Sequence, residues 1–183
     1  MTVFSKRLAY TAAVFLVLAI ALHLFTSRYT IAIAHQECLP ERVWLIDKTV
    51  KPANRGEYIA FIGRNIPRFT DATKLTKIIA GVPGDTIVVK PASGEHELTI
   101  NGMKRLVKVK AEVSVVSNGS LKRFIAYETG SDGRPLPFYY QYGSYTIPKG
   151  HYFVAGKAPY SYDSRYWGVI SDKNVIGKAY PIY

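Results

Sequence analysis

The sequence predicts an all-β domain, built on an antiparallel sheet, behind one N-terminal membrane-spanning helix. Two observations predict this arrangement. Residues 9–25 form an apolar run without a charge, whereas the remaining chain consists of short apolar runs separated by Gly, Pro and Asn. The chain has 183 residues, 48% of them hydrophobic, which is enough for one domain with a substantial core.

The N-terminal apolar run is long enough to cross a bilayer. As a helix, residues 9–25 extend over roughly 25 Å at a rise of about 1.5 Å per residue. With the two polar residues that follow, the predicted transmembrane anchor covers residues 9–27. A cleavable signal peptide is the alternative, and its best cleavage site is the Ala-Ile-Ala segment at residues 32–34.

Basic residues before the apolar run predict how the chain is oriented. Lys6 and Arg7 precede the run, and short loops rich in Lys and Arg stay on the cytoplasmic side of a membrane. We therefore expect residues 1–8 to be cytoplasmic and residues 28–183 to form an exported domain.

The predicted strands are runs of apolar and β-branched residues that end at turn-forming residues. They are Val43–Asp47, Glu57–Ile62, Lys77–Val82, Thr86–Lys90, Glu97–Gly102, and two closing strands within residues 145–156 and 175–183. The Asn101-Gly102 pair predicts a tight hairpin turn. Residues 92–144 are polar and aromatic with loose periodicity, and we interpret them as a variable insertion, a hairpin or loop region that is either a substrate-specific cap or merely a tolerated insertion.

Composition restricts the classes of partner. The formal net charge is +11, which is compatible with anionic lipid headgroups or nucleic acid. No recognition helix, zinc site or RNA-binding sheet signature accompanies this charge, so the sequence predicts no nucleic-acid partner. Neither a metal nor another cofactor is expected. Since Cys38 is the single cysteine, an intramolecular disulfide is excluded.

Cys38 begins an extended segment shortly after the predicted anchor. Pro40 biases Leu39 towards an extended conformation, which gives this segment a rigid start. From these residues alone, the thiol is either a small buried apolar group or a reactive nucleophile. His35, three residues earlier, is a candidate base or simply an exposed histidine.

Lys77 begins an apolar strand that leads into a glycine turn. A lysine at the edge of such a strand usually reaches solvent along its aliphatic stem. Burial would instead disfavour the ammonium form, and the resulting neutral amine can act as a base. Gly84, in the turn that follows, fits a tight connection between two strands.

The stretch Tyr160–Ile170, YSYDSRYWGVI, places an acid and a base close together. Asp163 and Arg165 alternate with Ser164, so on a strand both would lie on one face. We therefore predict a strand with an ion pair on one face in this segment.

In this order, and behind one membrane anchor, three segments resemble the type I signal peptidase family of serine–lysine proteases. The first is Cys38-Leu39-Pro40, the second is Lys77 four residues before the glycine of Gly81-Val82-Pro83-Gly84-Asp85, and the third is residues 161–168, SYDSRYWG. The family's nucleophile is usually serine, and this chain has cysteine there. A proline two residues after the nucleophile is similar to the TraF-like peptidases of conjugative plasmids, which mature a pilin subunit.

The resemblance implies a role for each residue of the site. Cys38 is expected to be the nucleophile and Lys77 the general base. Ser161 is expected to hydrogen-bond Lys77, and Asp163 and Arg165 to form an ion pair that either supports the scaffold or orients the lysine. The Cys38 backbone N–H and the Gln36 amide are expected to hold the oxyanion.

The resemblance also implies a location and a substrate. It predicts a signal-peptidase-like catalytic domain on the periplasmic side of a bacterial inner membrane, in contact with its lipid. The expected substrate is a pilin precursor, which is cleaved or cyclised for a conjugative type IV secretion system, and components of that system are candidate partners. Two alternatives stay open: a general secretory signal peptidase, and a catalytically silent membrane-tethered adaptor of a secretion machine.

Overall fold

The computed structural model describes residues 3–34, 38–100 and 102–182. Two helices and twelve strands, all antiparallel where paired, account for most of this part of the chain. In chain order they are α1 Val3–Arg28, β1 Tyr29–Ile33, β2 Val43–Asp47, β3 Tyr58–Ile62, β4 Lys74–Gly81, β5 Thr86–Pro91, β6 Glu95–Ile100, β7 Met103–Ser117, β8 Ser120–Tyr127, β9 Gly143–Thr146, β10 His151–Ala155, α2 Ser164–Trp167, β11 Ile170–Ser171 and β12 Val175–Pro181. A 3₁₀ turn, Asp172–Asn174, precedes β12. The predicted all-β class is therefore confirmed.

Helix α1 projects from the sheets. Its segment Tyr10–Arg28 has a mean hydropathy of 1.9 and no residue buried against the rest of the molecule. By length and composition, this segment can cross a membrane. Strand β1 begins at Tyr29, directly after the last residue of the helix, so the sheet starts where the apolar helix ends.

The strands form two sheets that share a core. The larger sheet has seven strands in the order β1-β2-β12-β3-β4-β10-β11, and the smaller has β6-β7-β5-β9 with β8 also paired to β7. Strands β4 and β5 belong to different sheets and are joined by the short turn at residues 82–85. Phe153 of β10 is fully buried among residues of the smaller sheet, which ties the two sheets together.

Strand β2 begins and ends at the predicted residues, Val43 and Asp47. Its side chains alternate as the sequence pattern indicates: Trp44 and Ile46 are buried, and Leu45 lies on the opposite face. The other predicted strands overlap observed strands, with limits that differ by a few residues. The predicted hairpin turn is also confirmed, because Ile100 pairs with Met103 across it; Asn101 itself lies outside the described residues.

Residues 92–144 contain regular hairpins. Strand β7 has 15 residues and pairs with β6, β5 and β8. Its inward-facing residues Ala111, Val113 and Val115 belong to the buried cluster around Phe153. The loose periodicity of this segment therefore conceals strands that contribute a substantial part of the buried core. That the segment is a variable insertion stays a prediction.

The strand predicted at Asp163–Arg165 is wrong, because this segment turns into the short helix α2. Asp163 is the residue before the helix, has an extended backbone (φ −152°), and accepts a hydrogen bond from the Arg165 backbone N–H. Aspartate favours this capping position because its carboxylate satisfies an otherwise unpartnered amide. Gly168 ends the helix at φ +89°, a conformation that suits glycine.

Candidate active site

Cys38 and Lys77 lie on one groove with a volume of about 200 Å³. The groove runs between the segment that follows β1 and the first half of β4. The other residues that line it are Ile33, Ala34, Leu39, Trp44 and Thr73–Thr76. Two residues that are 39 positions apart in the sequence are thereby brought to one groove.

Lys77 is almost completely buried, with only 2% of its surface exposed. Its strand neighbours Leu75 and Ile79 are buried on the same side of β4, so the lysine stem extends through an apolar environment. Its Nζ donates a hydrogen bond of 2.9 Å to the Oγ of Ser161, which is itself fully buried. No carboxylate of the described chain forms an ion pair with Lys77, so the amine is held mainly by a neutral hydroxyl.

The loop after β10 holds the segment that carries Cys38. The Cys38 carbonyl accepts hydrogen bonds from the backbone N–H of Lys157, at 2.8 Å, and of Ala158, at 3.2 Å. Three residues further on, Ser161 reaches Lys77. A single loop therefore fixes both the backbone of Cys38 and the side chain of Lys77.

Gly156 allows this close approach. A Cβ placed on Gly156 would lie 2.7 Å from the Cys38 carbonyl oxygen and would also collide with the Ser161 hydroxyl. Contacts this short are not tolerated between real side chains, so glycine is required here by space.

Asp163 and Arg165 form a buried ion pair behind the loop. The distance from Arg165 Nη2 to Asp163 Oδ2 is 2.8 Å, with 3% and 0% of the two side chains exposed. Asp163 Oδ2 also accepts a hydrogen bond from the Gly156 backbone N–H at 2.8 Å. Arg165 Nη1 donates to the carbonyls of Pro159, at 2.7 Å, and Ile125, at 3.2 Å.

This pair therefore fixes both ends of the loop that carries Ser161. Burial alone would lower the pKa of Arg165, but the adjacent Asp163 carboxylate outweighs burial and raises that pKa. The guanidinium stays charged, and its contacts are with the scaffold of the loop. The geometry thus fits a supporting role for Asp163 and Arg165 and places neither group on Lys77.

A second ion pair at the loop was missed by the sequence analysis. Lys157 Nζ lies 2.9 Å from Glu41 Oε1, and the Tyr58 hydroxyl donates to the same oxygen at 3.1 Å. Burial alone would raise the pKa of Glu41, but the hydrogen bonds from Lys157, the backbone and Tyr58 lower it below the ordinary value. Glu41 follows Cys38 by three residues, so this contact fastens the cysteine segment to the loop a second time.

Two predicted site residues cannot be placed. Gln36, the candidate oxyanion donor, and His35, the alternative base, lie outside the described residues. In the part of the chain that is described, no group of three or more His, Cys, Asp and Glu side chains could hold a metal ion.

The site can support acyl transfer through a nucleophile and an amine base. It combines a thiol, a buried amine and a hydroxyl that orients the amine, next to a groove for a substrate. These are the components that nucleophilic catalysis requires: an activated nucleophile, a base and a group that orients the base.

Comparisons with known proteins identify the family to which the chain belongs. The sequence model of the family described as signal peptidase, peptidase S26, matches residues 4–183. Signal peptidase I V of Bacillus subtilis (strain 168) is 33% identical over 115 residues, which cover 58% of this chain and 56% of that protein. Signal peptidase I of Haemophilus influenzae is 43% identical over 112 residues, which cover 58% of this chain and 31% of that protein.

The chain spans about half the length of the first of these relatives and about a third of the second. Among solved structures, that of a signal peptidase I from Enterococcus faecalis V583 is 21% identical, with a TM-score of 0.38, and covers 70% of this chain and 97% of that one. The match of the family model over nearly the whole sequence decides the assignment. The chain belongs to the signal peptidase family, peptidase S26.

Proposed function

We propose that this chain is a membrane-anchored endopeptidase that removes leader segments from exported precursor proteins, with Cys38 as nucleophile and Lys77 as general base. The observation that carries the proposal is the buried Lys77 amine, held by Ser161 on the same groove as Cys38. Burying an amine without a carboxylate partner costs free energy, so this position of Lys77 calls for a functional reason.

The groove suits an extended peptide because one edge of β4 is available there. Ile79 exchanges backbone hydrogen bonds with Gly56 and Glu57 on the β3 side. In an antiparallel ladder the backbone groups of successive residues point to alternate sides, so those of Thr76 and Lys74 point away from β3. Among the described residues, no strand pairs with β4 on that side before Ile78, where the pairing with β10 starts. A substrate strand could therefore pair with β4 beside Cys38.

The chemistry follows from the two side chains. The neutral Lys77 amine takes the proton of the Cys38 thiol, and the sulfur attacks the carbonyl carbon of the scissile bond. As the C–N bond breaks, the Lys77 ammonium returns the proton to the leaving amine, and a thioester remains on Cys38. Lys77 then deprotonates a water molecule that hydrolyses the thioester and frees the leader.

A thiol gives up its proton more readily than a hydroxyl. A cysteine nucleophile can therefore be deprotonated by a weaker base than the family's usual serine requires. The Cys38 backbone N–H would donate to the oxyanion, and the Gln36 amide is proposed as the second donor. Ser161 would keep the Lys77 amine pointed at the groove through both halves of the reaction.

An exposed apolar face supports a location at a membrane. Ile31 and Ile33 of β1 are 59% and 66% exposed, and Ile182 after β12 is 57% exposed. The register places Ile31 opposite Leu45, which in turn lies opposite Tyr180, so this face crosses three strands. It is continuous with the end of α1, and large apolar patches of this kind mark sites of interaction. We propose that α1 anchors the chain in a bacterial inner membrane, with the domain on the periplasmic side.

The narrower proposal is maturation of a pilin precursor, by hydrolysis or cyclisation, for a conjugative secretion system. It is supported by the position of Pro40, two residues after Cys38, which resembles TraF-like peptidases. The test uses the detergent-solubilised full chain with a pilin precursor and a general secretory precursor. Cleavage of the pilin precursor alone supports the narrower proposal, and cleavage of both supports a general signal peptidase. A chain that cleaves neither under conditions where a control signal peptidase is active would be an adaptor.

A further inference from the structure

A second cavity of about 340 Å³ lies next to the loop that carries Ser161, and the proposed reaction leaves it without a role. Its volume is within the range of small ligand sites. One wall is formed by residues 122–125 and 127 of β8 and the other by residues 155–159. Four cationic side chains line it, Lys122, Arg123, Lys157 and Arg165, together with the ring of Phe124.

The cavity lies where the groove along β4 ends. The groove is lined by β4 only as far as Lys77. At the next residue, Ile78, the strand pairs with Ala155 of β10, so a substrate strand cannot continue along β4. Ile78 and Ala155 both line the cavity. An extended peptide that leaves the sheet beside Lys77 therefore meets this cavity next.

The end of the groove that lies nearest the membrane indicates the direction in which the substrate runs through the groove. Ile33 and Ala34, at the end of the strand that follows α1, line the groove. A leader segment that is still held in the membrane approaches from this side. The groove then holds the residues before the scissile bond, and the residues after it reach the cavity.

The lining of the cavity favours an anionic group. Within the described chain, none of its lining residues is acidic. Lys157 and Arg165 are paired with Glu41 and Asp163, and Arg123 Nε is 3.8 Å from Glu112. Lys122 forms no ion pair with a described residue, and its Nζ lies 5.5 Å from the centre of the Phe124 ring. A carboxylate placed in the cavity would give Lys122 a partner.

We propose that this cavity is a substrate subsite for the residues that follow the scissile bond, and that Lys122 and Arg123 make it prefer an acidic side chain there. This inference rests on the proposed peptidase function. It adds a specificity determinant on β8, within the segment 92–144, for which the sequence leaves a substrate-specific cap and a tolerated insertion both open.

The experiment uses three precursors that are identical except for Glu, Gln or Lys at the third residue after the scissile bond. With the solubilised full chain, kcat/KM should decrease from Glu to Gln to Lys, by about three- to tenfold overall, as expected for a partly exposed charge pair. In the Lys122→Glu and Arg123→Glu variants the preference should shrink or reverse. Lys173→Glu is the matched control, since Lys173 is exposed and lines neither cavity.

A second measurement separates this inference from the proposed function. A short Glu-containing peptide with the sequence that follows the scissile bond should bind the full chain in calorimetry, and Lys122→Glu should weaken that binding. Equal cleavage of the three precursors would overturn the subsite and leave the peptidase function intact. If no precursor is cleaved, the peptidase function fails, and absence of peptide binding would then overturn the subsite as well.

Discussion

The Nζ of Lys77 lies 2.9 Å from the Oγ of Ser161, and the two residues are 2% and 0% exposed. This contact joins β4 of the large sheet to the loop that follows β10, across 84 residues of sequence. The loop in turn holds the Cys38 carbonyl. The geometry of the amine and of the cysteine backbone therefore depends on one short segment.

Replacing Lys77 tests whether it acts as a base or as a positive charge. Lys77→Arg keeps the charge, but guanidinium does not become neutral near physiological pH. We expect Lys77→Arg and Lys77→Ala to lose activity to a similar extent, by about 10²- to 10⁴-fold, the usual contribution of a general base. Precursor cleavage measures this, and Lys90, exposed on β5, supplies control substitutions. An active Lys77→Arg enzyme would exclude the base role and direct attention to His35.

Ser161→Ala removes the hydroxyl that orients the amine. We expect kcat to fall by about tenfold or more with little change in KM, since proton transfer depends on hydrogen-bond geometry. Ser114→Ala is the matched control, as Ser114 is a buried serine of the smaller sheet. If both substitutions change kcat equally, Ser161 contributes only to packing and does not orient the Lys77 amine.

Asp163→Asn breaks the buried ion pair while keeping the shape of the side chain. It leaves the Arg165 guanidinium buried without a counter-charge, which typically destabilises a fold by about 3–5 kcal/mol. Denaturant unfolding of the solubilised chain measures this change. Asp132→Asn is the control, because Asp132 pairs with arginines at the surface and should cost less than about 1 kcal/mol. A small effect for Asp163→Asn would show that the pair does not hold the loop.

The Glu41–Lys157 pair should make a pH-dependent contribution. Because the pKa of Glu41 is lowered in the folded state, the pair stabilises the fold above the ordinary glutamate pKa, and this contribution is lost as the pH falls through the lowered value. At neutral pH, Glu41→Gln should cost about 0.2–1 kcal/mol, as other partly exposed pairs do. The difference from wild type should vanish in acid. The Glu41→Gln substitution should also lower kcat, because the Cys38 segment loses its contact with Lys157.

Glu97→Gln is the control for this prediction, because Glu97 forms a similar pair with Lys104 on the exposed β6–β7 hairpin. Unfolding curves at several pH values and precursor cleavage at neutral pH compare the two variants. If Glu41→Gln and Glu97→Gln leave kcat equally unchanged, the pair does not position the cysteine segment.

The sequence predicts those features that depend on neighbours along the chain. Strand β2 follows from the alternation of Trp44, Leu45 and Ile46. For Lys77 the sequence left both a solvent-facing and a buried amine open, and the structure shows the buried one. Helix α2 has only four residues, too few to show a helical period, and its start depends on a capping bond from Asp163. An alternating Asp-Ser-Arg segment therefore resembled a strand.

Contacts between distant segments were not predictable from the chain alone. Glu41 and Lys157 are 116 residues apart, and both look like ordinary exposed charges. The space limit at Gly156 likewise arises only when the loop meets the Cys38 carbonyl. The cationic cavity combines β8 with this loop, so no single stretch of sequence shows it.

The central claim is that Cys38 is the nucleophile, and cleavage of a precursor by the Cys38→Ala and Cys38→Ser variants tests it most directly. Since the chain has no other cysteine, no second thiol can substitute. Cys38→Ala should reduce kcat by at least about 10³-fold, as loss of a catalytic nucleophile does in other proteases. Cys38→Ser should keep measurable activity, because it restores the family's usual hydroxyl. A Cys38→Ala enzyme that cleaves the precursor at the wild-type rate would contradict the account.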